Sequence, residues 1–330
     1  MSGLAIGLAI LTKGPVGLLI PGLTLISYGG WARCRLISAW GIFACTALAL
    51  PLLWVGYETY QHGWDFIQAF TQYHIALLKE PVAGHAQPFY YHFLVVFIGC
   101  FPATVLAMGS FFHPRFAGNF PLFPVMQALF WVVMLLFSLV TTKIVHYSSL
   151  AYFPITLLAA HYLYGLDQNL VKPARAIRLG LLCTGILVAG LLTALPLIAL
   201  CKERFYSFIA DAFTRALWAT PVPWSWADCW VGLGYVLVMA VAYRAFQQRA
   251  IMRFAALCSV ATTLSLALGI AWIVPKIEAH TQRPAIEFYK SLAGQAVYVT
   301  TVGFKSYAPL FYYQQPDDPQ PGAELSTVPL

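Results

Sequence analysis

Eight long apolar runs, bounded by charged residues or by Pro and Gly, decide what this chain can fold into. A helix needs about 20 apolar residues to cross a bilayer, and each run comes close to that length. Hydrophobic residues fill 60% of the 330 positions and charged residues only 9%, whereas a soluble domain carries about 25% charged residues. We therefore predict an all-α polytopic membrane protein with about eight transmembrane helices. The runs lie approximately at 15–30, 37–56, 91–111, 122–141, 148–165, 178–200, 228–246 and 254–274.

The basic residues between these runs predict the sidedness of the chain. Cytoplasmic connections of membrane proteins are enriched in Lys and Arg, and one alternate set of connections is strongly basic. We predict that this set is cytoplasmic and that the opposite connections, where acidic residues offset the basic ones, are extracytoplasmic. Because the charges are divided in this way, the net charge of +7 does not indicate a nucleic-acid partner. The cytoplasmic set contains Arg33, Arg35, Arg115, Asp167, Lys172, Arg175, Arg178, Arg244, Arg249 and Arg253.

The chain is predicted to have a membrane part and a small tail. Residues 1–274 form the transmembrane domain, with outer loops at 57–90 and 201–227. The second loop is predicted to be an amphipathic interfacial helix followed by a Pro/Trp turn. Residues 275–330 are predicted to be a soluble α/β extracytoplasmic domain, with a helix at 283–294, a strand at 295–304 and a disordered end. The apolar stretch before Lys13 is too short to span a bilayer, so we expect a helix whose beginning is missing.

Two lysines at predicted outer ends of apolar runs are candidate anion ligands. Lys13 lies in LTKGP, where free N–H groups at the following helix start would add to the site. Lys143 lies in TTKIVHY with His146 and Tyr147, at the level of lipid phosphates, and a Lys binds phosphate as a point charge. The alternative for Lys13 is that its side chain merely extends to the membrane interface. The alternative for Lys143, His146 and Tyr147 is that they belong to an ordinary interfacial Lys/Tyr belt.

The outer loop before residue 93 contains His74, His85 and His92 without the spacing of a zinc helix. Solvated or interfacial histidines are the default there. His85, Phe89 and Tyr90 suit a shaped loop that covers a cavity or stacks on a sugar ring. The seven cysteines form no C-x-x-C pair and indicate neither a metal cluster nor a disulfide framework.

Three stretches, in the same order, resemble ArnT-like glycosyltransferases of the GT-C fold group, which include the lipid A aminoarabinose transferase and, more distantly, protein O-mannosyltransferases. The likeness covers most of residues 3–165. The stretches are GLAIGLAILTKGPVGLLIPGL, GHAQPFYYHFLVVFIGCFPATVLA and TKIVHYSSLAYFPITLLAA.

That resemblance implies an inverting transfer of a sugar from a polyprenyl-phosphate donor to a lipid, glycan or protein acceptor, on the outer face of the cytoplasmic membrane. Lys13 and Lys143 would hold the carrier phosphate with His146 and Tyr147, and His74 would touch a divalent metal. An Arg of the family is replaced by Leu77. The key acidic residues of the family precede everything present here, so no catalytic residue is assigned and the chain resembles a C-terminal portion that by itself is expected to be inactive.

Two other functions remain open. A transporter or flippase for a lipid-linked precursor could use TKGP as a broken helix, but the chain shows no internal repeat and keeps charges away from the centres of the runs. A non-catalytic remnant that binds the lipid carrier is the other alternative, and the missing acidic loop favours it.

Overall fold

The apolar runs form helices in the computed structural model of the chain. It describes residues 2–32, 37–79, 87–113, 120–295 and 307–313, with single positions at 116, 118 and 299. The helices are α1 Ser2–Lys13, α2 Val16–Ala32, α3 Ile37–His62, α4 Asp65–Lys79, α5 Tyr91–Gly99, α6 Ala103–Phe112, α7 Phe123–Leu139, α8 Tyr152–Asp167, α9 Arg175–Leu200, α10 Lys202–Tyr206, α11 Ala212–Ala219, α12 Trp230–Gln247, α13 Ile251–Leu268, α14 Val274–Thr281, α15 Arg283–Ser291 and α16 Ala308–Tyr312. Short 3₁₀ segments, Val145–Ala151 and Trp226–Cys229, precede α8 and α12, and a π-helical turn, Gly269–Ile273, joins α13 to α14.

The predicted class, an all-α polytopic membrane protein, is confirmed. Four described helices are long and apolar enough to cross a membrane, or five if one bent pair counts as a single crossing. Two of the shorter apolar helices, Val16–Tyr28 and Phe123–Leu139, correspond to the runs at 15–30 and 122–141, and a third, Ser2–Lys13, precedes the first run. The four long ones are Gly41–His62, Arg175–Leu200, Trp226–Gln247 and Ile251–Thr281.

The apolar run at 91–111 is a bent pair of helices and not one straight helix. Its two halves, α5 and α6, meet at an angle of 104°. The rings of His92 and Phe137 lie 6.1 Å apart near the end of α7, and those of Phe111 and Phe123 lie 6.1 Å apart at its start. The pair therefore runs from one end of α7 to the other, a distance of about 25 Å for a helix of this length. At the break, Thr104 donates its hydroxyl to the Phe97 carbonyl at 2.9 Å, which satisfies a group that lipid cannot.

The chain forms two compact units. One contains Met1–Val188 and Met239–Cys258, and the other contains Ala189–Val238 and Ser259–Leu330. The predicted interfacial segment, 201–227, consists of two short helices, α10 and α11, followed by an irregular Pro/Trp stretch. In the predicted tail domain, 275–330, the described residues form most of α14 together with α15 and α16. Most of the predicted strand, 295–304, and the predicted disordered segment, 315–325, lie outside the described residues.

The second unit contains a buried ion pair. Asp228 is fully buried, and Lys276 donates to its two oxygens at 2.6 and 2.7 Å. The Ser225 backbone N–H also donates to Asp228 at 2.7 Å. The Lys276 ammonium lies 5.4 Å from the ring centre of Trp224 and 5.9 Å from that of Trp272. These contacts tie the start of α12 to α14.

Candidate functional site

The TKGP segment is a tight turn between two antiparallel helices. Gly14 has φ of +66°, a left-handed conformation that glycine adopts without steric cost. The missing side chain of Gly17 lets α2 approach α1, because a methyl group there would lie 2.6 Å from the Ala9 carbonyl. The prediction of free N–H groups at the start of α2 is wrong for two residues, since Gly17 and Leu18 donate to the carbonyls of Gly14 and Pro15. These two N–H groups are bonded within the turn, so Lys13 remains the candidate anion ligand of this segment.

Lys13 is exposed at the end of α1, and the residue after it contacts α4. A methyl group on Gly14 would lie 2.8 Å from His74 Nε2. His74 Nδ1 lies 2.8 Å from the Phe70 carbonyl, which can only accept, so Nδ1 carries the proton and Nε2 keeps its lone pair. The rings of Phe66, Phe70 and His74 stack in a row along α4. This row places the His74 imidazole against the TKGP turn.

His74 supplies one suitable donor atom for the metal that the resemblance implies. A lone pair on Nε2, with Nδ1 bonded to a carbonyl, is the usual state of a metal-binding histidine. Among the described residues, no group of three or more His, Cys, Asp or Glu side chains could hold a metal ion. The metal role of His74 therefore stays a prediction.

Among the Lys, Arg, Asp and Glu residues that the structure describes in the first unit, Lys143 is the most deeply buried. Only 5% of its surface is exposed, and its ammonium donates to the Val140 carbonyl at 2.7 Å. Within the described ranges it forms no ion pair with a carboxylate. Burying a charge without a partner is costly, and an ammonium has three donors. The position of Lys143 therefore favours an anionic ligand.

The 3₁₀ turn that follows presents the other two predicted residues. His146 is exposed, and Tyr147 is half-buried, with its ring 5.2 Å from Phe137 and 5.1 Å from His146. Burial raises the pKa of the Tyr147 phenol above its ordinary value, and the nearby Tyr73 phenol raises it further. The hydroxyl therefore stays protonated and available as a hydrogen-bond donor.

Two neighbouring residues on α4 interact with the two segments that carry the predicted phosphate ligands. Tyr73 and His74 are neighbours on α4; the former lies close enough to act on Tyr147, and the latter touches the turn after Lys13. Of the predicted cavity loop, Phe89 and Tyr90 are 51% and 59% exposed, and His85 lies outside the described residues. The loop assignment therefore stays a prediction.

His92 was noted in the outer loop of the sequence, but no role was predicted for it. It is fully buried at the start of α5, and its Nδ1 lies 3.1 Å from Ser148 Oγ in the 3₁₀ turn. The charge of Lys143 acts on this ring. The sequence did contain one indication of a role for His92, because placing a histidine inside an apolar run costs free energy. Its partner, 56 residues away, could not be found by spacing.

The comparisons with known proteins point to one class of relatives. No protein-family model and no solved structure matches the chain. The undecaprenyl phosphate-alpha-4-amino-4-deoxy-L-arabinose arabinosyl transferase of Enterobacter sp. (strain 638) is 28% identical over 169 residues, 48% of this chain and 30% of that protein. The transferase of the same name from Edwardsiella ictaluri (strain 93-146) is 29% identical over 178 residues, 52% of this chain and 32% of that protein.

The chain thus spans about a third of the length of the curated relatives it matches. The predicted resemblance is confirmed to that extent: over about half of its own length, this polytopic membrane chain is similar to undecaprenyl-phosphate aminoarabinose transferases.

Proposed function

We propose that this chain belongs to a membrane glycosyltransferase and contributes the part that binds the phosphate of a polyprenyl-phosphate-linked sugar. The enzyme transfers the sugar, with inversion, to a lipid, glycan or protein acceptor at the outer face of the cytoplasmic membrane. The C-terminal part of the chain lies on the extracytoplasmic side. The names of the two relatives support the donor class, and the positive-inside pattern supports the orientation.

The observation that carries this proposal is the burial of Lys143 without a carboxylate partner among the described residues. A phosphate oxygen would give its ammonium the anionic partner that the described residues do not supply. When the glycosyl bond breaks, negative charge grows on the departing phosphate, so a fixed cation there stabilises the transition state. Tyr147 adds a protonated phenol from the same turn.

Lys13 and His74 extend the site on the α1–α4 side. Lys13 is exposed at the end of α1 and can turn toward the ligand without losing a described ion pair. His74 meets the backbone of the same turn through Gly14. We assign Lys13 to a second phosphate contact and His74 to a contact with the sugar phosphate or with a divalent metal bound to it.

Binding of a radiolabelled polyprenyl phosphate to purified chain in detergent tests the phosphate site directly. A hydrogen bond to a charged group contributes about 1.5–3 kcal/mol, so Lys143→Ala should weaken binding about 10- to 150-fold. The matched control is Lys172→Ala, which removes an exposed lysine from a predicted cytoplasmic connection. Equal affinity of the Lys143→Ala and unchanged chains would refute the assignment.

Transfer is tested separately in membranes that contain the complete gene product of which this chain is part, a radiolabelled lipid-linked sugar and lipid acceptors. Sugar incorporation that depends on Lys143 supports the complete proposal. Binding that depends on Lys143 without any transfer would identify the chain as a carrier-binding protein and refute the enzymatic part.

A further inference from the structure

The proton of His92 can be located from its neighbours. Ser148 Oγ donates its hydrogen to the Val145 carbonyl at 3.3 Å, so its oxygen is free to accept. His92 Nδ1, 3.1 Å away, is then the donor, which leaves the lone pair on Nε2. This Nε2 is buried, and no hydrogen-bond donor among the described residues reaches it.

The ring of His92 joins three parts of the proposed phosphate site. Through Nδ1 it holds Ser148 and with it the turn between Lys143 and α8. Its face packs on Phe137, with ring centres 6.1 Å apart, and Phe137 in turn packs on Tyr147. An uncharged imidazole also avoids repulsion with the Lys143 ammonium, whose charge acts on it.

We infer that His92 is a positioning residue of the phosphate site, one that fixes the turn that follows Lys143 and carries Tyr147, by donating to Ser148. This inference rests on the proposed phosphate-binding function. His92 need not touch the ligand to act. Its contribution is to hold the turn so that the buried ammonium and the phenol face the same phosphate group.

Histidine is an unusual choice if its role is packing alone. An apolar side chain would fill the same space beside Phe137 without burying an acceptor, and buried polar groups without partners are rare in folded proteins. A packing residue and a positioning residue therefore differ in what their substitution changes. Loss of packing weakens every property of the unit, whereas loss of the Ser148 contact weakens recognition of the phosphate.

Three variants separate these roles. Ser148→Ala removes one buried oxygen and leaves the imidazole in place. His92→Phe keeps an aromatic ring but removes the donor, and His92→Asn keeps a donor near the position of Nδ1. Each is purified in detergent as the full chain, and Lys143→Ala serves as the variant without the phosphate ligand. Thermal melting and near-ultraviolet circular dichroism establish that the variants are folded.

The readout is selectivity between two radiolabelled probes, dodecyl phosphate and 1-dodecanol, which share a chain and differ in charge. We expect Ser148→Ala and His92→Phe to lose about 2- to 12-fold of the selectivity for the phosphate, the range of one hydrogen bond. His92→Asn should restore most of it. Binding of 1-dodecanol should stay unchanged in all three.

Each other result decides against a specific claim. Unchanged selectivity in Ser148→Ala and His92→Phe, together with loss in Lys143→Ala, would overturn the positioning role and leave the phosphate site standing. Equal loss of both probes with a lowered melting temperature would assign His92 to packing and overturn the inference. Undiminished selectivity in Lys143→Ala would refute the proposed phosphate site and the inference with it.

Discussion

The ion pair of Asp228 and Lys276 predicts an asymmetric response to mutation. Asp228 is fully buried, whereas the Lys276 side chain is 15% exposed. Lys276→Met leaves a buried carboxylate without a counter-charge, and breaking a buried pair in this way costs about 3–5 kcal/mol. Asp228→Asn instead leaves an ammonium that keeps the faces of Trp224 and Trp272 and some water, so we expect a loss of only about 1–3 kcal/mol.

Thermal unfolding followed by intrinsic tryptophan fluorescence measures this difference. At about 2 °C per kcal/mol, the low end for chains of roughly 150–250 residues, Lys276→Met should lower the Tm by about 6–10 °C. Asp228→Asn should lower it by about 2–6 °C. The asparagine keeps a side-chain oxygen for the Ser225 N–H, so the local turn is preserved and the comparison isolates the charge.

The double variant provides the control. Asp228→Asn combined with Lys276→Met removes both charges, and its Tm should lie above that of Lys276→Met alone because no buried charge remains unpaired. Two results would contradict this reasoning. The Lys276→Met protein could melt within about 2 °C of the unchanged chain, or it could be more stable than Asp228→Asn. Either would show that the ion pair contributes little to stability.

Three further results are expected from the first unit. Gly14→Ala should lower stability by about 1–2 kcal/mol, because alanine is strained at φ of +66° and must displace the His74 ring; unchanged melting would contradict this. Gly109→Ala should cost about 1–3 kcal/mol by overpacking, since the added methyl would lie 2.4 Å from the buried Tyr162 ring, and a Tm equal to that of the unchanged chain would refute the contact. Burial and the nearby Tyr73 phenol raise the pKa of the Tyr147 phenol above its ordinary value, so Tyr147→Phe should remove a late part of the ultraviolet phenolate signal; loss of an early part instead would refute its burial.

The helical class could be predicted from the sequence because lipid imposes it residue by residue. Every apolar run long enough to cross had to form a helix, since no other open structure satisfies its backbone in hydrocarbon. The basic connections and the two lysine motifs could also be predicted, because each depends on residues that are close together in the sequence. The structure places Tyr147 in a 3₁₀ turn that begins two residues after Lys143.

The remaining features depend on contacts between distant residues. The partners of Asp228 and His92 lie 48 and 56 residues away, and no periodicity connects them. The burial of the Asp228 carboxylate could not be predicted, because Asp228 lies at the edge of an apolar run, where a charged residue is expected to be exposed. The sequence also predicted free N–H groups after Gly14, where the backbone closes a turn on itself. Local sequence identified the segment but not the hydrogen bonds that the tertiary packing selects.

The bend between α5 and α6 determines how the chain threads through the bilayer. Apart from α4, which falls in the predicted outer loop, four elements separate Lys13 from Lys143: α2, α3, the bent pair and α7. If each traverses the bilayer once, the number is even and both ammonium groups emerge at one face. A topology drawn only from straight helices would omit the bent pair, make the number odd and assign the two lysines to opposite compartments. The rings that link the bent pair to both ends of α7 therefore support a path in which the two lysines share one face of the membrane.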